Sequence, residues 1–361
     1  MKAFYDEKFV DILQEKESVI SSFGNDIFLR PIPDDEREGV LDPREFELAK
    51  KTLKERVAMV NTIENLRRQT GFPNINLNTV EIITDCFEVK GELPFRVWVY
   101  YPRKPFDVEK RAAVLYAHGG SWLAGSPFGE ENMLKYLSQK ADAVIFNIEY
   151  ALAPEHPFPC ALNQVKEAIK ALKEKASLYH VDMDNIYLSG DSSGANLALV
   201  ASQEKELLPI KGLLLYYPVV AVDFPTLPFE WKEEHYVMRE EYRPFILPRL
   251  ILGRSDKGAD LTLPSLIFAT YLRHNENPKD VLISPLYYPL KEYPPILMFT
   301  AEYDGLREQD EYFASEVNEC GGYCKTIRYK GIHHGFVDKF GYFPQAEDSV
   351  LEMAKFINEC R

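Results

Sequence analysis

The sequence predicts an α/β fold: a mostly parallel central sheet flanked by helices, with a mainly helical cap. Three observations carry that prediction. From residue 112 onward, short apolar runs alternate with amphipathic stretches of helical length. Such alternation implies parallel strands covered on both faces. Between about 219 and 280 the alternation breaks, and the chain becomes rich in aromatic residues and proline. Finally, Gly190-Asp191-Ser192-Ser193-Gly194 lies between a buried-strand run, Ile186–Leu188, and a helical run, Ala195–Ser202. With 361 residues and 46% hydrophobic content, the chain can bury a sizeable core.

Residues 1–75 read as a helical segment separate from the sheet. Asp42-Pro43 offers an N-cap followed by proline at the first helical position. Phe46, Ala49, Leu53, Val57, Val60 and Ile63 then recur at spacings of three and four, which is one apolar helix face. Gly71 and Pro73 stop the helix. Glu81–Val89 and Pro94–Tyr101 flank Lys90-Gly91-Glu92 and read as an antiparallel hairpin opening the sheet. Further strands are expected at Ala113–Ala117, Ala143–Ile148, Ile186–Leu188, Gly212–Tyr216, Ile296–Thr300 and Lys325–Tyr329. Helices are expected near 130–140, 161–176, 195–205, 307–320 and 345–359. The stretch 219–280 carries Phe224, Phe229, Trp231, Tyr236, Tyr242, Phe245, Phe268 and Tyr271. It reads as an insertion between two strands that lines an apolar pocket. The expected organisation is an N-terminal cap segment over 1–75, a core over 76–218 and 281–361, and a cap insertion over 219–280.

Charge and composition exclude several classes. The net charge is −14 and no Lys/Arg run occurs, which argues against nucleic acid and anionic membrane surfaces. No apolar stretch approaches the roughly 18 residues of a membrane span. The start, Met1 to Lys8, has no apolar core of a signal peptide. Five cysteines without CxxC pairs point to reduced thiols and a cytoplasmic protein. Cys320 and Cys324 lack the further ligands that a tetrahedral metal site needs. No metal and no cofactor are expected.

The chemistry centres on Ser192. A Gly-x-Ser-x-Gly at a strand-to-helix turn holds its serine out at the end of a sheet, as a nucleophile elbow does. Only Ser192 fits the register, because Ser193 has serine, not glycine, two positions before it. His118-Gly119-Gly120-Ser121-Trp122 follows directly on the strand ending at Ala117. Its glycine pair exposes backbone N–H groups, and Gly119, Gly120 and Ser193 are the expected oxyanion donors. The strand Ile296–Thr300 runs into Glu302 and Asp304, either of which could orient a histidine. The last strand runs into His333 and His334, either of which could serve as base. The order serine, acid, histidine is that of α/β-hydrolases.

Together these blocks resemble the hormone-sensitive lipase family of α/β-hydrolases, which includes many bacterial carboxylesterases. His118-Gly-Gly-Ser-Trp122 is similar to the family's His-Gly-Gly-Gly block. Glu149-Tyr-Ala-Leu-Ala-Pro-Glu-His-Pro-Phe-Pro159 is similar to its Tyr-Arg-Leu-Ala-Pro-Glu block. Gly190-Asp-Ser-Ser-Gly-Ala195 looks like its Gly-Asp-Ser-Ala-Gly-Gly elbow, and His334-Gly-Phe336 matches its histidine block. The resemblance spans about 80–360. It implies an α/β-hydrolase fold with Ser192 as nucleophile, His334 as base and Asp304 as its orienting acid. It also implies a cap built from the N-terminal segment and the insertion. Trp122, Asp191 and Trp231 are the candidate substrate contacts. The departures are Ser121, Ser193, Ala195 and Ala151 in place of glycine, alanine, glycine and arginine. The hydroxyls of Ser121 and Ser193 are expected to make the pocket more polar. The implied activity is a serine carboxylesterase acting on small-molecule esters with short acyl groups, acetyl above all, with acetylated carbohydrate as a natural substrate class. An amidase or lipase with the same three residues, or a non-catalytic ligand-binding protein, are the alternatives. A homodimer is common in such a family, though no interface is legible here.

Overall fold

Ten strands form one sheet in the order β1-β2-β10-β9-β8-β7-β5-β6-β4-β3. The strands are β1 (Ser18–Ser22), β2 (Asn25–Arg30), β3 (Ile82–Val89), β4 (Phe95–Pro102), β5 (Arg111–Ala117), β6 (Val144–Glu149), β7 (Val181–Asp191), β8 (Gly212–Tyr216), β9 (Ile296–Tyr303) and β10 (Cys324–His333). The helices are α1 (Lys8–Glu15), α2 (Pro43–Arg56), α3 (Ile63–Arg68), α4 (Glu131–Ala141), α5 (Cys160–Lys175), α6 (Ser193–Ala201), α7 (Arg243–Leu250), α8 (Leu263–Thr270), α9 (Arg307–Glu319) and α10 (Pro344–Glu359). This computed structural model describes residues 2–56, 63–68, 75–103, 110–222, 227–250, 263–273 and 276–359, with backbone only at 52–56 and 263–265. The expectations for Val57, Val60, Gly71, Pro73, Phe224 and Cys360, and for the Leu53 side chain, lie outside the described residues.

The ladder is parallel from β2 across to β6 and antiparallel at both margins. Successive side chains point to opposite faces, so each strand feeds two apolar layers. Leu115, Leu188, Leu215 and Met298 pack on one face against α5, α6 and α9. Val114, Tyr187, Leu214 and Phe299 pack on the other against α4 and α10. The central strands β5 and β8 are buried along their whole length, as expected of parallel strands covered twice.

The first thirty residues correct the expectation of a helical segment separate from the sheet. β1 and β2 form a hairpin turned by Phe23 (φ 51°) and Gly24 (φ +79°). Positive φ at both central residues matches the twist of a tight hairpin. β2 then lies parallel to β10, pairing Thr326–Tyr329 with Ile27–Arg30. The reason is the edge of β10, whose backbone groups β2 satisfies. Arg30, only 3% exposed, pins β2 to α10 through Asp348 and Glu352. Beyond β2 the helical expectation holds: α2 starts at Pro43, and Asp42 Oδ1 accepts the Arg44 N–H at 2.9 Å.

Chain order along the sheet reverses at β5, which lies between β7 and β6. Ligands of open α/β sheets bind beyond the carboxyl ends of strands at such a reversal. A third apolar cluster stands apart from the sheet layers. It joins Ile32, Val40, Leu41 and Ala49 of the N-terminal segment to Tyr236, Tyr242, Ile246 and Leu250 of the insertion, around Tyr303. The two regions outside the core thus pack on each other, next to the end of β9. Among the described residues no helix is long and apolar enough to cross a membrane.

Candidate active site

Ser192 lies between β7 and α6 with φ 53° and ψ −117°, a conformation that a side chain rarely adopts. Close packing forces it. A Cβ on Gly194 would overlap the carbonyl oxygens of Ala117 and His118, so only glycine lets α6 start against the end of β5. The Ser192 N–H donates to the Tyr216 carbonyl of the adjoining strand at 2.9 Å. The nine-residue helix α6 begins at the next residue, turning its positive end toward the site.

The candidate acid and base come from the two strands beyond. β9 and β10 pair so that Tyr303 lies opposite His333. One residue further on each strand, His334 Nδ1 lies 2.6 Å from Asp304 Oδ2. On its other side, His334 Nε2 lies 3.0 Å from Ser192 Oγ. Asp304 is 2% exposed, and its other oxygen accepts the Leu306 N–H at 2.8 Å. Burial opposes the imidazolium, but Asp304, with the charges of Asp191 and Asp338, holds the His334 pKa above the usual histidine value. Such a chain can withdraw a proton from the serine hydroxyl and return it to a leaving group.

The two rivals face elsewhere. Glu302 accepts the Gly331 N–H at 2.7 Å. His333 is fully buried, and its Nδ1 lies 2.7 Å from Glu45 Oε1.

The loop after β5 departs from expectation at one donor. The Gly119 N–H donates to Asp191 Oδ1 at 2.6 Å, so it is not free for an oxyanion. The N–H groups of Gly120, Ser121 and Ser193 have no acceptor among the described residues. Asp191 Oδ1 also accepts the Tyr116 hydroxyl at 2.9 Å. Asp191 is therefore a brace beneath this loop; at 5% exposure it offers no open face to a substrate. Burial and the neighbouring Asp338 push its carboxyl up to about 7.

Two other expectations change in the same way. Trp122 is 1% exposed and stacked face to face on Tyr271 of the insertion, with ring centroids 4.6 Å apart. It pins the insertion to the loop. The Ser193 hydroxyl is fully buried and accepts the Trp122 N–H at 3.2 Å, so it stiffens the loop and does not make the pocket more polar. Trp231 packs beside Tyr236, with centroids 5.9 Å apart, on the cluster that joins the N-terminal segment to the insertion.

Sequence reasoning missed several neighbours. The fully buried ring of Tyr217 lies against His334 at 4.4 Å between centroids. Its place at the end of the strand next to β7 could have flagged it. Glu130 and Asp338 lie near each other and near Asp191, and burial raises the pKa of both. Glu45 and Arg249, on α2 and α7, carry no local signal at all.

Comparison with known proteins identifies the fold. A family profile described as alpha/beta hydrolase fold matches residues 114–338. An arylesterase of Saccharolobus solfataricus is 28% identical over 250 residues, 68% of this chain and 73% of the relative. A 2-hydroxyisoflavanone dehydratase of Glycyrrhiza echinata is also 28% identical, over 70% of this chain and 76% of the relative. Among solved structures, an esterase of Pyrobaculum calidifontis superposes with a TM-score of 0.65 at 27% identity, covering 88% of this chain and 98% of the other. With serine, histidine and carboxylate aligned beyond a reversal of strand order, and with that match over most of its length, this chain belongs to the α/β-hydrolase family.

Proposed function

We propose that this protein is a serine carboxylesterase of the hormone-sensitive lipase branch, acting on short acyl esters. The observation that carries the reading is the chain Ser192 Oγ, His334, Asp304, with links of 3.0 and 2.6 Å. Ser192 attacks the ester carbonyl while His334 Nε2 takes its proton. Asp304 holds the tautomer with hydrogen on Nδ1 and stabilises the imidazolium that forms. The N–H groups of Gly120, Ser121 and Ser193 receive the developing oxyanion; one such donor is typically worth about 10²–10³ in kcat. His334 then protonates the leaving alcohol, and water enters by the same base to release the acid. No metal or cofactor takes part in these steps.

Acetyl is the favoured acyl group, and acetylated carbohydrate the favoured natural class. Trp231 of the insertion, only partly buried, supports this, because an aromatic face that is not fully covered can stack on a sugar. The cap is assigned to the N-terminal segment and the insertion, which share one apolar cluster. Free cysteines at 86, 160, 320 and 324 support a cytoplasmic setting.

The test is hydrolysis of p-nitrophenyl acetate, butyrate and octanoate by wild type and Ser192→Ala. Wild type should turn over acetate and butyrate, and Ser192→Ala should lose on the order of 10⁶ in kcat. A maximum at octanoate would favour a lipase, and turnover of the matching anilide alone an amidase. Binding without turnover of any of them would favour a ligand-binding protein.

A further inference from the structure

The carboxylate of Glu45 joins three parts of the molecule that are distant in sequence. It lies on α2, is fully buried, and its Oε1 lies 2.7 Å from His333 Nδ1. The same oxygen lies 3.3 Å from Arg249 Nη1 on α7. His333 directly precedes the base. The end of α7 also reaches the acid, since a Cβ on Gly305 would lie 2.7 Å from the Leu250 carbonyl oxygen. One buried carboxylate therefore ties the N-terminal segment and the insertion to the two turns that carry Asp304 and His334.

The protonation states are defined by the surroundings. Burial pushes His333 down to about 4, so it is a neutral donor through Nδ1. Burial alone would raise Glu45, but His333, Lys339 and Arg249 hold it at about 2, so it is an ionised acceptor. Among the described residues His333 Nε2 has no hydrogen-bond partner, so the polar grip on the ring found there is at Nδ1. Two more bonds run the same way. The Asp42 N–H donates to the Gly331 carbonyl at 2.8 Å, and Gln345 Nε2 donates to Asp42 Oδ2 at 2.8 Å. Gly331 precedes the histidine pair, and Gln345 lies on α10 beyond it.

We propose that Glu45 is a positioning residue for His334: through His333 it fixes the β10 turn, which makes the N-terminal segment a working part of the active site. The proposal rests on the hydrolase reading of Ser192, His334 and Asp304. A base displaced by about 1 Å can lose on the order of 10² in rate. The loss belongs in kcat, because neither Glu45 nor His333 lies open to substrate.

The experiment compares Glu45→Ala, Glu45→Gln, His333→Leu, His333→Asn and the double variant Glu45→Ala/His333→Leu. Steady-state kinetics on p-nitrophenyl acetate are read beside the downfield proton resonance of the His334–Asp304 pair. Glu45→Ala and His333→Leu should each lower kcat by about 10- to 100-fold with KM within about twofold. The double variant should be no worse than the worse single variant, since both cut one connection. Glu45→Gln keeps an acceptor and His333→Asn keeps a donor at the same place, so both should recover most of the loss. The resonance should broaden in the first two variants and return in the conservative ones. Wild-type kcat and an unchanged resonance in folded Glu45→Ala would overturn the proposal. So would a loss confined to KM, or single effects that multiply in the double variant. If Glu45→Ala does not fold, Glu45→Leu/His333→Phe removes both polar partners together and carries the same expectation. If wild type turns over no ester, the hydrolase reading falls, and the resonance alone decides whether Glu45 positions His334.

Discussion

Ser192 and His334 meet at 3.0 Å, but the two sides of the site are secured differently. The nucleophile side is built within the core sheet, from the turns of two adjacent strands, 71 and 72 positions apart at their hydrogen bonds. Gly194 packs on the end of β5, Ser193 holds Trp122, and Asp191 holds Gly119, all within the turns after β5 and β7. The base side depends on reach. His333 is gripped by Glu45 from 288 positions away, and the turn at Asp304 is packed by α7 and by the Tyr236 hydroxyl. The nucleophile elbow is therefore secured by two short blocks at the ends of neighbouring strands, the turns after β5 and β7. The placement of the base needs both regions outside the core to be folded onto it.

The sharpest challenge to this contrast is Asp304→Asn. Loss of the carboxylate should favour the wrong tautomer of His334 and lower kcat on the order of 10⁴. Glu302→Gln should cost less than about tenfold, because Glu302 serves the Gly331 N–H and not the histidine. Steady-state kinetics of the two variants decide, and equal losses would erase the distinction between the acids. A smaller effect is expected on the nucleophile side. Ser193→Ala removes the acceptor of the Trp122 N–H, a buried donor whose loss of partner costs about 1–3 kcal/mol. Because backbone packing still holds the elbow, kcat should fall less than about tenfold, with thermal unfolding shifted downward. A loss of 10³ or more in kcat would show that the Ser193 hydroxyl is as important to this side as Asp304 is to the other.

The same contrast explains what was legible in the sequence. The alternation of strand and helix follows from which residues face each apolar layer, so β3 to β10 and the helices α4, α5, α6, α9 and α10 are readable locally, while α7 and α8 of the insertion are not. Ser192 is readable from its elbow, whereas strand ends and chain order leave Glu302 beside Asp304 and His333 beside His334; only the resemblance of His334-Gly-Phe336 to the family's histidine block selects His334. The Gly119 N–H reads as free because sequence shows the glycine but not the carboxylate of Asp191 beneath it. The β1–β2 hairpin was missed because its strands are short and only the edge of β10, some three hundred residues on, makes them strands. Glu45 and Arg249 were invisible for a related reason. A charged residue on a helix face reads as solvated until a partner from another part of the chain buries it.

The smallest expected effect concerns pH, and it separates three histidines that sequence treats alike. His118, on the nucleophile side, is buried beneath Tyr150 with its Nδ1 against the Gly119 carbonyl, and burial lowers its pKa to about 4. His333 falls to about 4 for the same reason. His334 alone moves the other way, because its carboxylate neighbours outweigh burial. The base must be neutral to accept the serine proton, so activity disappears as pH falls through the His334 pKa. A raised pKa means that the loss begins at higher pH than an ordinary histidine would give. The acid limb of kcat/KM should therefore have its midpoint above 6.5, the unperturbed value. A pH profile of kcat/KM on p-nitrophenyl acetate measures it. A midpoint below 6.5 would mean that burial prevails on the base side as it does on the nucleophile side, and that Asp304 orients His334 without sustaining its charge.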